Sequence, residues 1–224
     1  MDESFLRSEL EADIAVRLQN LSRIKTMPTR YLFRQDDIDS WLRCAFPIIY
    51  AEWEGFFVYA LSLYFREVNK LHLKLDELSD KYFVRNADKN FKQLKEYPSD
   101  YGKRLHFLKN LLAYFRNMGE VDLNTEVNTE SNLGFKVMNV ILNGLNLTLI
   151  EDHIDHDVYS LKEDMDKFLL DKRNGLVHGD PASTVTTEQV TKAITLVERL
   201  MNLAKETILN GYKNEVFNCC SAPR

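Results

Sequence analysis

Leu6, Leu10, Ile14, Leu18, Leu21 and Ile24 return every three or four positions. That is the period of one helix face, so residues 3–27 predict an amphipathic helix stopped by Pro28. The Asp-rich "QDDIDS" (35–40) offers caps for a second helix reaching about Leu71. This segment is apolar on most sides, so several neighbours must cover it. Pro47 falls inside it and predicts a kink or a late start. Residues 72–102 are less regular: "LHLKLDELSD" reads as a short helix and "KEYPSDYG" (95–102) as a loop. Helical spacing resumes at Leu105, Leu108, Leu111, Leu112 and Phe115, and a polar loop follows from Gly119 to Ser131. Leu133, Val137, Val140, Ile141 and Leu145 predict a central helix. Val158, Leu161, Met165, Phe168 and Leu169 predict the next, closed by "GDPAST" (179–184). Thr186 and Gln189 have capping-box spacing, and Val190, Ile194, Val197, Met201, Ala204 and Ile208 form a heptad-like seam behind them.

The pattern predicts an all-α fold: one domain over residues 1–224, built as a bundle of long helices. Residues 72–130 read as an insertion or cap and 211–224 as a C-terminal tail. Composition agrees, since only eight glycines and five prolines in 224 residues are too few for the turns of a β-sandwich. At 45% hydrophobic, the chain can form a sizeable core.

One segment tests the membrane option. "CAFPIIYAEWEGFFVYALSLYF" (44–65) is long enough to span, but it carries Glu52 and Glu54 near its middle. A central carboxylate costs ~2.5–3.5 kcal/mol on insertion. A buried helix in a bundle or dimer is therefore expected, with no membrane partner. Carboxylates buried in an apolar helix are often functional; the plainer reading is that these two reach the helix surface or pair with an arginine, and Trp53 is expected to sit in the core. The N-terminal "MDESFLRSEL" has no signal-peptide core. Cys44, Cys219 and Cys220 give no disulfide framework, so a reducing cytoplasm is expected.

The net charge of −5 excludes nucleic-acid binding through the global field, though not through a local surface. Residues 81–116 hold nine Lys/Arg against three Asp/Glu, interleaved with Tyr82, Phe83, Phe91, Tyr97, Tyr101 and Phe107. Cations beside aromatic rings can grip a single strand, while the plainer reading is helices with wet and dry faces.

The densest chemistry lies in "KRNGLVHGDP" (172–181). Arg173 and His178 are splayed by about 140° on a regular helix, but Asn174 and His178 are four apart and share a face. A guanidinium, an amide and an imidazole can thus converge at a helix end stopped by Gly179, Asp180 and Pro181. Gly175 leaves room for another backbone or a ligand to approach. The similarly spaced Arg66 and His72 have no such surroundings and read as a solvated face. "EDHIDHD" (151–157) sets His153 and His156 among four carboxylates. A divalent metal could bind there. A polar loop capped by Asp155 or Asp157 accounts for the same residues, and no metal or cofactor is expected.

Three stretches in order carry a resemblance. "KRNGLVHGD" resembles the late Arg-polar-x-x-x-His signature of the HEPN superfamily. "IIYAEWEGFF" (48–57) is similar to the early-helix "YAHWEGF" pattern of one prokaryotic branch, and "TESNLGFKVMNVIL" (129–142) to its central "T-x-SNL" helix. The resemblance implies a helical bundle forming a two-fold homodimer, with the Arg–His stretches of both copies facing one cleft. It implies a metal-independent endoribonuclease, often a toxin with an antitoxin partner or a defence-system effector. The alternative is a non-catalytic module binding a nucleotide, RNA or protein. Carried over, Arg173 holds the scissile phosphate, His178 is the general base or acid, and Asn174 orients phosphate or imidazole. Related toxins often have Tyr where this chain has Asp180. Regulation by modifying that Tyr is therefore not expected, and the extra negative charge weighs against tight RNA binding.

Overall fold

The structure, a computed structural model, describes residues 2–94, 96–117, 119–130, 132–152 and 160–219. The chain opens with α1 (Ser4–Arg30), which runs through Pro28 rather than stopping before it. Proline cannot donate to the carbonyl four residues back, that of Ile24. The Trp41 indole N–H donates to that carbonyl instead, at 3.2 Å. Trp41 belongs to α2 (Gln35–Asn69), which continues unbroken past Pro47, so the expected late start does not occur. Its aspartates do not cap it: the N-cap is Arg34, and Asp36 and Asp37 lie in the first turn, where the helix dipole favours negative charge.

Between α2 and the central helix come a 3₁₀ turn (Leu75–Glu77), α3 (Asp80–Asn90), a second 3₁₀ turn (Lys92–Leu94) and α4 (Tyr101–Asn117). α5 (Phe135–Asn143) starts beyond the "TESNL" stretch, whose described residues form turns. A long helical rod follows: α6 (Leu161–Glu163), a π-helical stretch (Asp164–Asp171) and α7 (Lys172–Val177). α8 (Thr187–Lys213) closes the order. Among the described residues there is no β-strand, only two isolated antiparallel bridges, Lys74–Glu120 and Leu78–Asn218. No described helix is long and apolar enough to cross a membrane.

α2 is the central element: it packs along α8, α1 lies against both, and α7 lies against α2. This explains why α2 is apolar nearly all round. Phe46, Ile49, Tyr50, Trp53, Phe56, Phe57, Tyr64 and Phe65 are all buried. The expected α8 seam is buried as well, with Ile194 partly so. Its start has the expected reciprocal cap: Gln189 N–H donates to Thr186 Oγ1, and Gln189 Oε1 accepts from Thr186 N–H. Phe217, in the stretch expected as a tail, is buried against Tyr64, Tyr82 and Tyr212.

Candidate active site

The end of the rod begins with an irregularity. In the π-helical stretch just before α7, the rod widens over Asp164–Asp171, a form associated with functional sites. Two carboxylates there tie the rod to its neighbours. Asp164 accepts from Lys192 of α8 at 2.7 Å. Asp166 accepts from the Phe135 N–H at 2.7 Å and so satisfies the start of α5. Lys172 then reaches Gln189 Oε1 at 2.7 Å, fastening α7 to the cap of α8.

Arg173 leaves α7 toward α2. Its guanidinium lies 4.8 Å from the centre of the Tyr50 ring, and its Nη1 donates to Asn174 Oδ1 at 2.7 Å. A cation over an aromatic face gains ~0.5–2 kcal/mol, depending on desolvation. Tyr50 is itself held, because its hydroxyl oxygen accepts from the Leu133 N–H at 2.6 Å. Burial pushes the Tyr50 phenol up to about 12, and the nearby Glu54 carboxylate adds to that rise; the Leu133 amide and Arg173 act the other way. The ring under Arg173 is therefore neutral near pH 7. Glu54 accepts from Thr129 Oγ1 at 2.6 Å.

The three stretches that carried the resemblance thus meet around one ring. Tyr50 and Glu54 come from the early helix, Thr129 and Leu133 from the central stretch, and Arg173 and Asn174 from α7. Tyr50, Thr129 and Leu133 were not singled out as site residues from sequence, and Glu54 only as one of two carboxylates in an apolar helix. The signal was present, since all four lie within the quoted motifs. Glu52, two residues from Glu54, turns to α1: Arg17 donates to it at 2.9 Å while also bonding Asp13 at 2.6 Å. One of the two carboxylates therefore pairs with an arginine, as expected, and the other faces the candidate site. Trp53, between them, is wholly buried in the core.

His178 is the last residue of the same turn system. Its N–H donates to the Asn174 carbonyl at 3.0 Å, so the two residues share a helix face as their spacing predicts. The imidazole is exposed and has no hydrogen bond to another described residue. The helix stops there by a Schellman motif: Gly179 N–H donates to the Leu176 carbonyl and Asp180 N–H to the Gly175 carbonyl. This geometry needs a left-handed residue at 179, and Gly179 has φ +77°.

The room at Gly175 is taken by the returning loop. A Cβ on Gly175 would lie 2.6 Å from Ser183 Oγ. Asp180 organises that loop, accepting from the Ala182 N–H and Ser183 Oγ, each at 2.9 Å. These bonds, the Ala182 amide first, hold the Asp180 carboxyl below its usual range; Arg43 adds a smaller pull. Arg43 of α2 also donates to the carbonyls of Ser183 and Asp180. The charge at Asp180 is thus engaged by its own loop.

The other candidates separate from this place. His72 Nδ1 pairs with Glu120 at 2.6 Å on an exposed surface, and Arg66 is exposed, in keeping with a solvated face. His153 and His156 lie outside the described residues. Among the described residues no cluster of three or more His, Cys, Asp or Glu could hold a metal.

Neither the comparison with curated proteins nor that with solved structures returned a match. The comparison with protein families matches residues 12–210 to RiboL-PSP-HEPN, a span holding nearly all of the described bundle and every residue of the site above. This all-α chain is a member of the RiboL-PSP-HEPN family of the HEPN superfamily.

Proposed function

We propose that this protein is a metal-independent endoribonuclease, with a site composed in a two-fold homodimer from Arg173, Asn174 and His178 of both copies. The chain acts in the cytoplasm as one HEPN-like domain, with residues 72–130 as a cap, under the control of an antitoxin or another defence-system protein. The observation that carries the reading is the Arg173 guanidinium. It is braced by Tyr50 and Asn174 at the end of a helix that also exposes His178.

The chemistry follows from these groups. His178 takes the proton of an RNA 2′-hydroxyl, and the freed oxygen attacks the adjacent phosphorus. The bond to the 5′-oxygen breaks, and the leaving oxygen gains a proton from the partner copy's imidazole. The products are a 2′,3′-cyclic phosphate and a 5′-hydroxyl. Arg173 faces the charge that builds on the phosphoryl oxygens; one such donor is commonly worth ~10²–10³ in rate. Asn174 holds the guanidinium in line. Dimerisation doubles a sparse set of groups. Ile48 of α2, Val140 of α5 and Val177 of α7 are exposed apolar residues on the helices that carry the three motifs, which suits a covered face there.

The test combines assembly and cleavage. Sedimentation should give a dimer, and the dimer should cut single-stranded RNA in the presence of EDTA. Arg173→Ala and His178→Ala should each slow cutting about a hundredfold or more; the Tm should hold in His178→Ala and fall in Arg173→Ala by no more than the ring contact supplies, ~0.5–2 kcal/mol. A monomer, or cleavage undiminished in both variants, contradicts the proposal. Tight RNA or nucleotide binding with no product would favour the non-catalytic alternative.

A further inference from the structure

α4 has two apolar rows that do different things. Phe107, Leu111, Tyr114 and Phe115 face inward, where Phe107 and Tyr114 meet Phe91, and Phe115 meets Phe83 and Phe91. The other row is Tyr101, Leu105, Leu108 and Leu112, which are 78%, 43%, 41% and 54% exposed. Their spacing of four, three and four places them within about 30° of one line along the helix, over a rise of ~16 Å. This is the stripe that an amphipathic helix offers to another helix.

Charge completes the pattern. α4 contains Lys103, Arg104, Lys109 and Arg116 and no aspartate or glutamate. Lys109 and Arg116 lie about 50–70° to one side of the stripe and Arg104 about 70° to the other. Arg104 is fixed there by the Pro98 carbonyl at 2.6 Å and by the Tyr97 ring. Among the described residues no carboxylate pairs with Lys109 or Arg116.

We infer that the outer face of α4 docks an acidic amphipathic helix of a partner protein. Leucines at helical spacing take a complementary apolar row, and the basic flanks take carboxylates on either side of it. An RNA strand fits less well, because bases stack on rings and three of the four α4 aromatics are committed to contacts within the segment. A second α4 fits less well, because it would set Lys109 and Arg116 against a helix that is equally basic. The inference does not rest on the nuclease reading.

The probe is a fluorescein-labelled peptide of about 18 residues, close to the length of α4, with leucine at heptad a and d positions and glutamate at e and g. Its anisotropy is titrated with the full chain. It should bind, and a scrambled peptide of the same composition should not. Leu105→Ser with Leu108→Ser, and separately Lys109→Glu with Arg116→Glu, should weaken binding about tenfold or more. Raising salt should weaken it too. Arg173→Ala should leave it unchanged, which separates this result from the fate of the nuclease proposal. Thermal unfolding checks that each variant is folded. The inference is overturned if the designed peptide binds no better than the scrambled one, or if both double substitutions leave binding unchanged. It is overturned in favour of nucleic acid if single-stranded RNA displaces the peptide and is weakened by the same leucine changes. A chain dimer lost on Leu108→Ser would assign the face to a second copy instead.

Discussion

The end of α7 and the outer face of α4 are both basic and both reach solvent, yet they are built in opposite ways. At α7 the guanidinium and the loop beyond it are fastened by other segments, while the His178 imidazole stays open to solvent. Arg173 rests on Tyr50 of α2, Tyr50 is held by Leu133, and the loop beyond is clasped by Arg43. At α4 the aromatic side is consumed in ring contacts with Phe83 and Phe91, and the leucine side is left uncovered. Side chains fixed in advance suit a reaction, where orientation sets the rate. An uncovered apolar stripe suits binding, where area and charge set affinity. Substitutions should therefore separate the two places cleanly.

The largest expected effect lies at α7. His178→Ala should reduce kcat/KM for RNA cleavage by ~10²–10⁴, as measured in single-turnover assays. The Tm should be unchanged, because the ring is exposed and its backbone bond to Asn174 remains. The matching change at α4, Leu108→Ser, should leave cleavage intact. A loss there would erase the division between the two regions.

Next comes the brace. Tyr50→Leu removes both the ring under Arg173 and the acceptor for Leu133, and cleavage should fall about tenfold with a lower Tm. Tyr50→Phe keeps the ring and strands the Leu133 N–H. Stability should fall by ~1–3 kcal/mol, measured by urea unfolding, with a smaller change in rate. Equal rate losses in the two variants would show that the cation–ring contact does not position Arg173.

A smaller effect is expected at the returning loop. Gly175→Ala puts a Cβ against Ser183 Oγ, and unfolding should show a cost of ~1 kcal/mol. Ser183→Ala in the same chain should recover part of it. Additive costs would mean that the loop does not press on Gly175.

The least local effect concerns alkali. Burial raises the Tyr50 phenol to about 12, and it also raises Tyr64 and Tyr82, which share a 2.6 Å hydrogen bond. A phenol raised in the folded state holds its proton where the unfolded chain has lost it. Its stabilisation is full below about 10, the ordinary tyrosine value, and is lost as pH rises through the folded value. The share of the tyrosinate absorbance that belongs to these buried rings should therefore appear only together with loss of helical circular dichroism, above pH ~10. Ionisation of all ten tyrosines with the helix intact would contradict the burial of these rings.

Much of this architecture is legible in the sequence. The periods of α1 and α8 and the Thr186–Gln189 box appear where the sequence puts them, because regular spacing and caps are local properties. Pro28 misleads because the indole that meets the stranded Ile24 carbonyl comes from the next helix. The π-helical widening is invisible for a related reason: it shifts the rod within one turn and leaves the apolar spacing almost unchanged. α3 is not marked in the sequence because it has few apolar residues, and the most buried of them, Tyr82, packs on Tyr64 and Phe217 from distant segments. At the candidate site, Arg173, Asn174 and His178 could be chosen by chemistry and order. Tyr50, Thr129, Leu133 and the part Glu54 plays could not, because they arise only when residues 75 to 123 positions apart are folded together.

The most direct measurement is mass spectrometry of the ends left on a single-stranded RNA incubated with the purified protein in EDTA. The account predicts fragments ending in a 2′,3′-cyclic phosphate and beginning with a 5′-hydroxyl, formed ~10²–10⁴ more slowly by His178→Ala protein. Fragments with 3′-hydroxyl and 5′-phosphate ends, or the same cyclic products at an undiminished rate from the His178→Ala protein, would contradict it.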